Sequence, residues 1–203
     1  MKIIAIARNY KDHAKELDNE VPTEPILFVK PDNAILRPGY DFYHPDFSNN
    51  IDHEVELIVK INRVGMNIEE KFAHKYYSEI GLGLDFTARD LQTKLKNKGL
   101  PWSIAKGFNH SAPISEFISK DQYEDLQDLN IELKNNGETV QIGNTKDMIF
   151  NINQIISYAS KYFQLKKGDL IFTGTPAGVS KINIGDKLEG YLNGEKLLDV
   201  KIK

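Results

Sequence analysis

The chain has 203 residues, of which 40% are hydrophobic and 27% charged, and its formal net charge is −3. This size favours one domain with a substantial core, and the slight negative charge gives no broad cationic surface for nucleic acid or an anionic membrane. The absence of cysteine excludes disulfides and thiolate chemistry. With no signal peptide and no apolar run near the roughly 20 residues of a membrane span, we expect a cytoplasmic protein.

The first half of the chain is dominated by apolar runs bounded by proline, glycine and asparagine, which predict strands. Two segments with helical character interrupt these runs, and the second ends in a lysine cluster closed by Gly99. The predicted strands cover residues 2–7, 26–30, 51–61 and 79–87, and the predicted helices cover residues 67–77 and 89–98.

The second half of the chain continues this mixture. An Asn-Gly turn predicts a hairpin over residues 129–143, and helical spacing predicts an amphipathic helix over residues 152–163. Further strands are predicted at residues 170–173, 187–192 and 195–202. Because strands and helices do not alternate regularly, the sequence predicts a single strand-rich α+β domain over residues 1–203 rather than a parallel-sheet fold.

Two glutamates in the predicted strand 51–61 pose an electrostatic problem. Glu54 and Glu56 are two residues apart and therefore share one face of a strand. Either the strand lies at an edge with its glutamates in water, or a cation lies between them. Asp85 could supply a third ligand, with Asp90 as the competing candidate, and three carboxylates favour Mg²⁺ or Mn²⁺. Without metal, Glu54→Gln should raise stability by removing a like charge.

Three further stretches offer side chains for chemistry. In RNYKDHAKEL, Glu16 could orient His13 as a general base if the segment is helical, the alternative being an ordinary surface pair. Lys106 either extends along apolar surface to reach water or serves as a cation in a pocket. The glycine-rich residues 174–178 lack the phosphate-loop pattern and predict a tight turn that could offer Thr175 to a ligand.

Seven short motifs connect these residues in one order, from Arg8 to about Asp186. They are RNYxxHxxE, PxxFxKP, HEVEL, DxTARDxQ, KGLPWxxAKxF, MIF and TGTPxGV. In this order they resemble the fumarylacetoacetate hydrolase family, and KGLPWSIAKGF is most similar to its short acylpyruvase and oxaloacetate decarboxylase branch. One departure is Ala7, which stands where a glycine is common before Arg-Asn-Tyr.

The resemblance implies a fold, a metal site and a set of site residues. The fold would be a mixed β-sandwich roll with a few peripheral helices, in a homodimer, with residues 8–25 as a mobile lid. The metal ligands, for Mg²⁺ or Mn²⁺, would be Glu54, Glu56 and Asp85. The catalytic residues would be His13, Glu16 and Lys106, and the substrate-binding residues would be Arg8, Gln92 and Thr175.

The activity implied is metal-dependent hydrolysis of a carbon–carbon bond in a short 3-acylpyruvate, through the enolate of pyruvate. The same enolate would serve oxaloacetate decarboxylation, or isomerisation or tautomerisation of a 2-oxo diacid. A metal-binding domain without turnover is the non-enzymatic alternative. It would not require His13, Glu16 or Lys106. The expected partners are a small 2-oxo acid and a second copy of the chain, and neither nucleic acid nor a membrane.

Overall fold

The computed structural model describes residues 1–16 and 20–203. Within these residues the chain forms fifteen strands and five helices. The strands are β1 (Lys2–Ala7), β2 (Ile26–Pro31), β3 (Ile35–Leu36), β4 (Ile51–His53), β5 (Val55–Ile61), β6 (Tyr77–Leu84), β7 (Thr87–Ala88), β8 (Ala112–Pro113), β9 (Ile118–Ser119), β10 (Asn130–Asn135), β11 (Glu138–Asn144), β12 (Leu170–Phe172), β13 (Ser180–Lys181), β14 (Lys187–Leu192) and β15 (Glu195–Lys201). The helices are α1 (Lys11–Glu16), α2 (Glu70–Ala73), α3 (Arg89–Asn97), α4 (Ser103–Lys106) and α5 (Ile152–Tyr162).

The main sheet has six strands in the order β2-β1-β12-β5-β6-β9. Strands β1 and β12 are parallel, and the other neighbours are antiparallel. A four-stranded sheet, β11-β10-β14-β15, contacts β5 and β6. Two small sheets, β13-β4-β7 and β3-β8, complete the described topology. The predicted strand-rich α+β class is therefore confirmed.

Both faces of the main sheet are covered by apolar residues. Along β1, Ile4 and Ile6 belong to the large cluster shared with the four-stranded sheet, whereas Ile3 and Ala5 belong to a smaller cluster. Successive side chains of a strand point to opposite faces. Burial on both faces thus accounts for the nearly continuous apolar sequence of β1.

The predicted strand 51–61 is divided at Glu54. Before it, β4 pairs with β7 and β13 in a small sheet, and after it β5 pairs with β6 and β12 in the main sheet. The predicted strand 79–87 is divided similarly, because β6 ends at Leu84 and β7 begins at Thr87. These two breaks lie side by side, since the Asp85 N–H donates to the Glu54 carbonyl over 2.8 Å.

The predicted helix 67–77 is much shorter in the structure, where α2 covers Glu70–Ala73. Tyr77 instead begins β6 and pairs with Ile61. This residue therefore belongs to the main sheet and not to the predicted helix. In contrast, α5 follows its predicted bounds closely and begins with a capping box between Asn151 and Gln154. Among the helices described, none has the length and hydropathy needed to cross a membrane.

Candidate active site

Three buried carboxylates converge where the main sheet meets the small β13-β4-β7 sheet. Glu54 occupies the break between β4 and β5, Glu56 lies in β5, and Asp85 follows β6. Each is at most 5% exposed, and their oxygens can be chosen to lie within 4.8 Å of one another. The edge-strand alternative, with both glutamates in water, is therefore wrong.

Two lysines from different parts of the chain partly neutralise this cluster. Lys106, at the end of α4, places its Nζ 2.8 Å from Glu54 Oε2 and 2.5 Å from Asp85 Oδ2. Lys30 is fully buried at the end of β2, with its Nζ 2.5 Å from Asp85 Oδ1. Burial alone would lower the pKa of Lys106, but the charges of Asp85 and Glu54 raise it overall. Lys106 is thus a pocket cation rather than a surface lysine.

The first turn of α3 supplies a third cation. Arg89 places Nη2 2.6 Å from Glu54 Oε1, and its Nη1 donates to Gln92 Oε1 over 2.6 Å. Arg89 thereby connects a predicted metal ligand to a predicted substrate-binding residue. The neighbouring Asp90 is not part of the cluster, because its carboxylate accepts a hydrogen bond from Ser48 Oγ at 2.6 Å. Asp90 is therefore rejected as the third metal ligand.

Glu56 differs from its neighbours because no ion-pair partner faces it within the described ranges. Its Oε2 accepts a hydrogen bond from the Gly174 N–H at 2.6 Å. Burial, together with the charges of Asp85 and Glu54, raises the pKa of Glu56 well above its ordinary value. Burial also opposes ionisation of Glu54, but the Lys106 charge holds the pKa of Glu54 below its ordinary value.

The donor set fits a hard divalent cation. All three ligand atoms are carboxylate oxygens, which Mg²⁺ and similar ions prefer. Lys30 Nζ lies 2.5 Å from Asp85 Oδ1, and the ammonium also donates to Phe86 O and to both oxygens of Ser111. Glu56, which has no ion-pair partner among the described residues, is the carboxylate left to face a cation.

The predicted His–Glu pair lies beside the carboxylates, on α1. His13 is 4% exposed, and its Nδ1 lies 3.1 Å from Glu16 Oε2. Glu16 Oε1 also accepts from the Gly178 N–H at 2.9 Å, which connects α1 to the glycine-rich turn. The burial of His13 rules out an ordinary surface pair, and the geometry lets Glu16 orient the imidazole.

The start of the predicted lid is attached to the rest of the domain. Asn9 is fully buried and its Nδ2 donates to the carbonyls of Thr173 and Phe150, over 2.7 and 2.9 Å. Part of the predicted lid, residues 17–19, lies outside the described residues. Movement of residues 8–25 therefore stays a prediction.

A cavity of about 140 Å³ opens next to the carboxylates. Phe28 and Trp102 form an aromatic edge-to-face pair in its wall, with ring centroids 6.2 Å apart. Of the nine predicted site residues, Glu16 reaches the cavity only through His13. The other eight line it directly: Arg8, His13, Glu54, Glu56, Asp85, Gln92, Lys106 and Thr175.

Three residues of the site were not predicted from the sequence. Lys30 and Arg89 lie in the FVKP and TARD motifs, and the available signal for Lys30 was a lysine directly after an apolar run. Gln141 lies in an unremarkable hairpin strand, yet its Nε2 donates to Thr175 Oγ1 over 2.8 Å. No local sequence pattern indicates such a contact.

The strand-rich fold and the buried carboxylate cluster define a protein with a candidate site for a divalent cation beside a small cavity. The family model described as fumarylacetoacetate (FAA) hydrolase C-terminal matches residues 2–202. The chain belongs to this family, as the motifs had indicated, and the family's known members are enzymes.

Relatives with different activities resemble the chain over nearly its whole length. The mitochondrial oxaloacetate tautomerase FAHD1 of Mus musculus is 44% identical over 99% of this chain and 91% of its own. Fumarylpyruvate hydrolase from Pseudomonas aeruginosa, solved in complex with Mn²⁺ and pyruvate, superposes with a TM-score of 0.94 at 32% identity, covering 100% of this chain and 89% of that one. A 5-carboxymethyl-2-hydroxymuconate delta-isomerase from Mycobacterium smegmatis gives a TM-score of 0.88 at 30% identity, covering 99% and 78%.

Proposed function

We propose that this protein is a Mg²⁺- or Mn²⁺-dependent enzyme that acts on short 2-oxo acids through an enolate, and that it hydrolyses 3-acylpyruvates. One observation carries the proposal: a cation-binding carboxylate cluster, Lys106 and the His13–Glu16 pair belong to the same small cavity. A protein that only binds metal does not require the last two features.

The carboxylates of Glu54, Glu56 and Asp85 would hold the cation. When bound, this ion would supply Lewis acidity toward the oxygens of a 2-oxo acid. Lys106, held by Glu54 and Asp85, adds a fixed positive charge close to where negative charge develops on the substrate.

In hydrolysis, His13 would remove a proton from a water molecule while Glu16 holds the imidazole in position. The resulting hydroxide attacks the distal carbonyl of the acylpyruvate. The carbon–carbon bond then breaks, its electron pair forms the enolate of pyruvate, and a carboxylic acid leaves. Protonation of the enolate gives pyruvate, so one acylpyruvate and one water yield one acid and one pyruvate.

Oxaloacetate is the second candidate substrate, and the 44% identity with a mouse oxaloacetate tautomerase favours it. Tautomerisation requires only that a proton move between carbon and oxygen of the 2-oxo acid. Decarboxylation reaches the same enolate by loss of CO₂. Neither reaction requires an attacking water, so the cavity residues that stabilise an enolate would serve all three.

A substrate panel tests the proposal. The purified protein, loaded with Mg²⁺ or Mn²⁺, is assayed with short 3-acylpyruvates, with oxaloacetate for tautomerisation and for decarboxylation, and with unsaturated 2-oxo diacids. We expect turnover of at least one 2-oxo acid that stops with a chelator and returns with metal. A protein that binds metal by calorimetry but turns over none of these acids would contradict the proposal.

His13→Ala separates the two chemistries. Because hydrolysis requires an activated water and decarboxylation does not, this variant should lower acylpyruvate hydrolysis by about 10² to 10⁴-fold and affect oxaloacetate decarboxylation much less. Lys106→Ala and Asp85→Ala should damage both activities. The rates are measured at saturating metal, and equal loss of both activities in His13→Ala would remove the water-activating role from this residue.

The assembly and compartment are also part of the proposal. We infer a homodimer and a cytoplasmic location, with a small 2-oxo acid as the ligand and no nucleic-acid or membrane partner. The net charge of −3 supports the exclusion of nucleic acid.

A further inference from the structure

Gln141 joins two parts of the site that are far apart in sequence. It lies in β11 and is 1% exposed. Its Oε1 accepts from the Val55 N–H at 3.0 Å and lies 2.9 Å from His53 Nδ1. Its Nε2 donates to Thr175 Oγ1 and to Pro176 O, both over 2.8 Å. One amide thus connects the strand that carries the glutamates to the glycine-rich turn.

The orientation of this amide is determined by its backbone partners. The Val55 N–H can only donate, so it requires the amide oxygen, and the Pro176 carbonyl can only accept, so it requires the amide nitrogen. A flipped amide would place its NH₂ group against the Val55 N–H and its oxygen against the Pro176 carbonyl. By the same reasoning, His53 carries its proton on Nδ1, and its Nε2 accepts from Ser180 Oγ at 2.8 Å.

This orientation determines what Thr175 can do. Because the Gln141 Nε2 can only donate, the Thr175 hydroxyl oxygen accepts this bond, and its own hydrogen must point elsewhere. In the described parts of the chain, Thr175 Oγ1 has no acceptor for that hydrogen. Thr175 is 3% exposed and lines the cavity beside Lys106. The Thr175 hydroxyl can therefore donate its hydrogen to a ligand in the cavity.

We propose that Gln141 is a positioning residue that makes Thr175 a hydrogen-bond donor toward the substrate. This inference rests on the proposed function and deepens it. A fixed O–H donor favours a ligand oxygen that only accepts, and a charged oxygen gains most from it. The site therefore selects acids that place a carboxylate oxygen at Thr175, and discriminates against analogues with an amide or hydroxyl donor there.

The test compares variants of Thr175 and Gln141 by two measurements. One is the affinity for pyruvate, measured calorimetrically on the Mn²⁺-loaded protein, and the other is KM and kcat for the best acid of the panel. Thr175→Val removes the hydroxyl at constant shape and should weaken pyruvate binding about ten-fold or more. Thr175→Ser, which keeps the hydroxyl, should recover most of that loss. Gln141→Glu offers Thr175 an acceptor instead of a donor, so the hydroxyl hydrogen should turn away from the cavity and KM should rise more than kcat falls.

A double variant makes the test specific to positioning. If Gln141 acts through Thr175, then adding Thr175→Val to Gln141→Glu should cause little further loss of pyruvate affinity. Gln141→Met removes the hydrogen bonds of the amide without adding charge and serves if Gln141→Glu does not fold. In this background Thr175→Val should also lose most of its effect. Gln122→Glu, at an exposed turn, is the matched control and should bind pyruvate like the parent.

Two results would overturn the inference. Additive losses in the double variants, or Gln141 variants that lose thermal stability while binding pyruvate like the parent, would show that Gln141 is only structural. Metal affinity, measured separately by calorimetry with Mn²⁺ alone, should stay within about two-fold in every variant that folds. If the parent protein binds Mn²⁺ but neither binds pyruvate nor turns over any 2-oxo acid, the proposed function fails and this inference fails with it.

Discussion

Single side chains in the site differ in how their charge is compensated. Glu54 has Lys106 and Arg89 as ion-pair partners, whereas Glu56 has only the backbone N–H of Gly174 among the residues described. The sequence argument treated the two glutamates alike and expected Glu54→Gln to stabilise the metal-free protein. The structure reverses this expectation, because Glu54→Gln would remove one of the two carboxylate partners of the buried Lys106 and of the half-buried Arg89.

The corresponding prediction compares two substitutions in the presence of a chelator. Glu56→Gln keeps a hydrogen-bond acceptor for Gly174 and removes a carboxyl whose pKa rises on folding, which costs stability at neutral pH, so it should raise the free energy of unfolding by about 1 kcal/mol. Glu54→Gln should lower it, because Lys106 and Arg89 each lose one charged partner. Chemical denaturation near neutral pH measures both, and shifts of the same sign would contradict this assignment of charges. Both variants should lose metal affinity.

The sequence could identify most residues of the site but not the contacts between them. Eight of the nine predicted residues line one cavity, and Glu16 reaches it through His13. They could be predicted because each lies in a short motif with recognisable chemistry. Lys30, Arg89 and Gln141 contribute through contacts made across long separations in the chain. Such contacts depend on how strands are ordered in the sheets, which local patterns do not reveal.

Individual helices and strands have the bounds predicted from the sequence where a local signal, such as a helix cap, marks their ends. Helix α5 is such a case, because Asn151 accepts from the Gln154 N–H and the Gln154 side chain accepts from the Asn151 N–H. The predicted helix 67–77 lacks such a signal, and pairing of Tyr77 with β5 shortens it. The break at Glu54 was missed for a similar reason, since only the change of partner strands reveals it.

Loss of the N-terminal cap of α5 should lower the stability of the fold. Asn151→Ala removes the side-chain oxygen that accepts from the Gln154 N–H and should lower the free energy of unfolding by about 1 kcal/mol. Denaturant unfolding measures this change. Asn151→Ser, which can still cap the helix, is the control and should retain most of the stability; an equal loss in both variants would mean that the cap is not the cause.

The turn before β14 should make stability depend on pH. Burial opposes ionisation of Asp186, but hydrogen bonds from the Asn183 N–H and from the Asn135 and Asn136 side chains lower its pKa overall. A carboxylate with a lowered folded-state pKa stabilises the fold fully above its unfolded pKa, about 3.9, and loses this contribution as the pH falls through the lowered value.

The corresponding measurement compares Asp186→Asn with the parent protein. The variant should be less stable at neutral pH, and the difference in free energy of unfolding should shrink as the pH is lowered below about 4. A difference that stays constant across this range would indicate that the carboxylate charge does not stabilise the turn.

For the whole molecule, the main expectation concerns assembly. Strand-rich proteins must cover or blunt their sheet edges, and β2 lies at one edge of the main sheet. Light scattering at micromolar concentration should give about twice the chain mass of 23.1 kDa. A single species at the mass of one chain would contradict the predicted homodimer.

The position of β12 has a consequence for how the chain reaches its fold. This strand lies between β1 and β5, pairing Ile3 with Leu170 and Ile58 with Phe172. During synthesis, β1 and β5 therefore each lack one of their two neighbouring strands until β12 has been made. Such non-local pairing slows folding and leaves open strand edges exposed to other chains. A polypeptide that ends before residue 170 would thus be prone to aggregation.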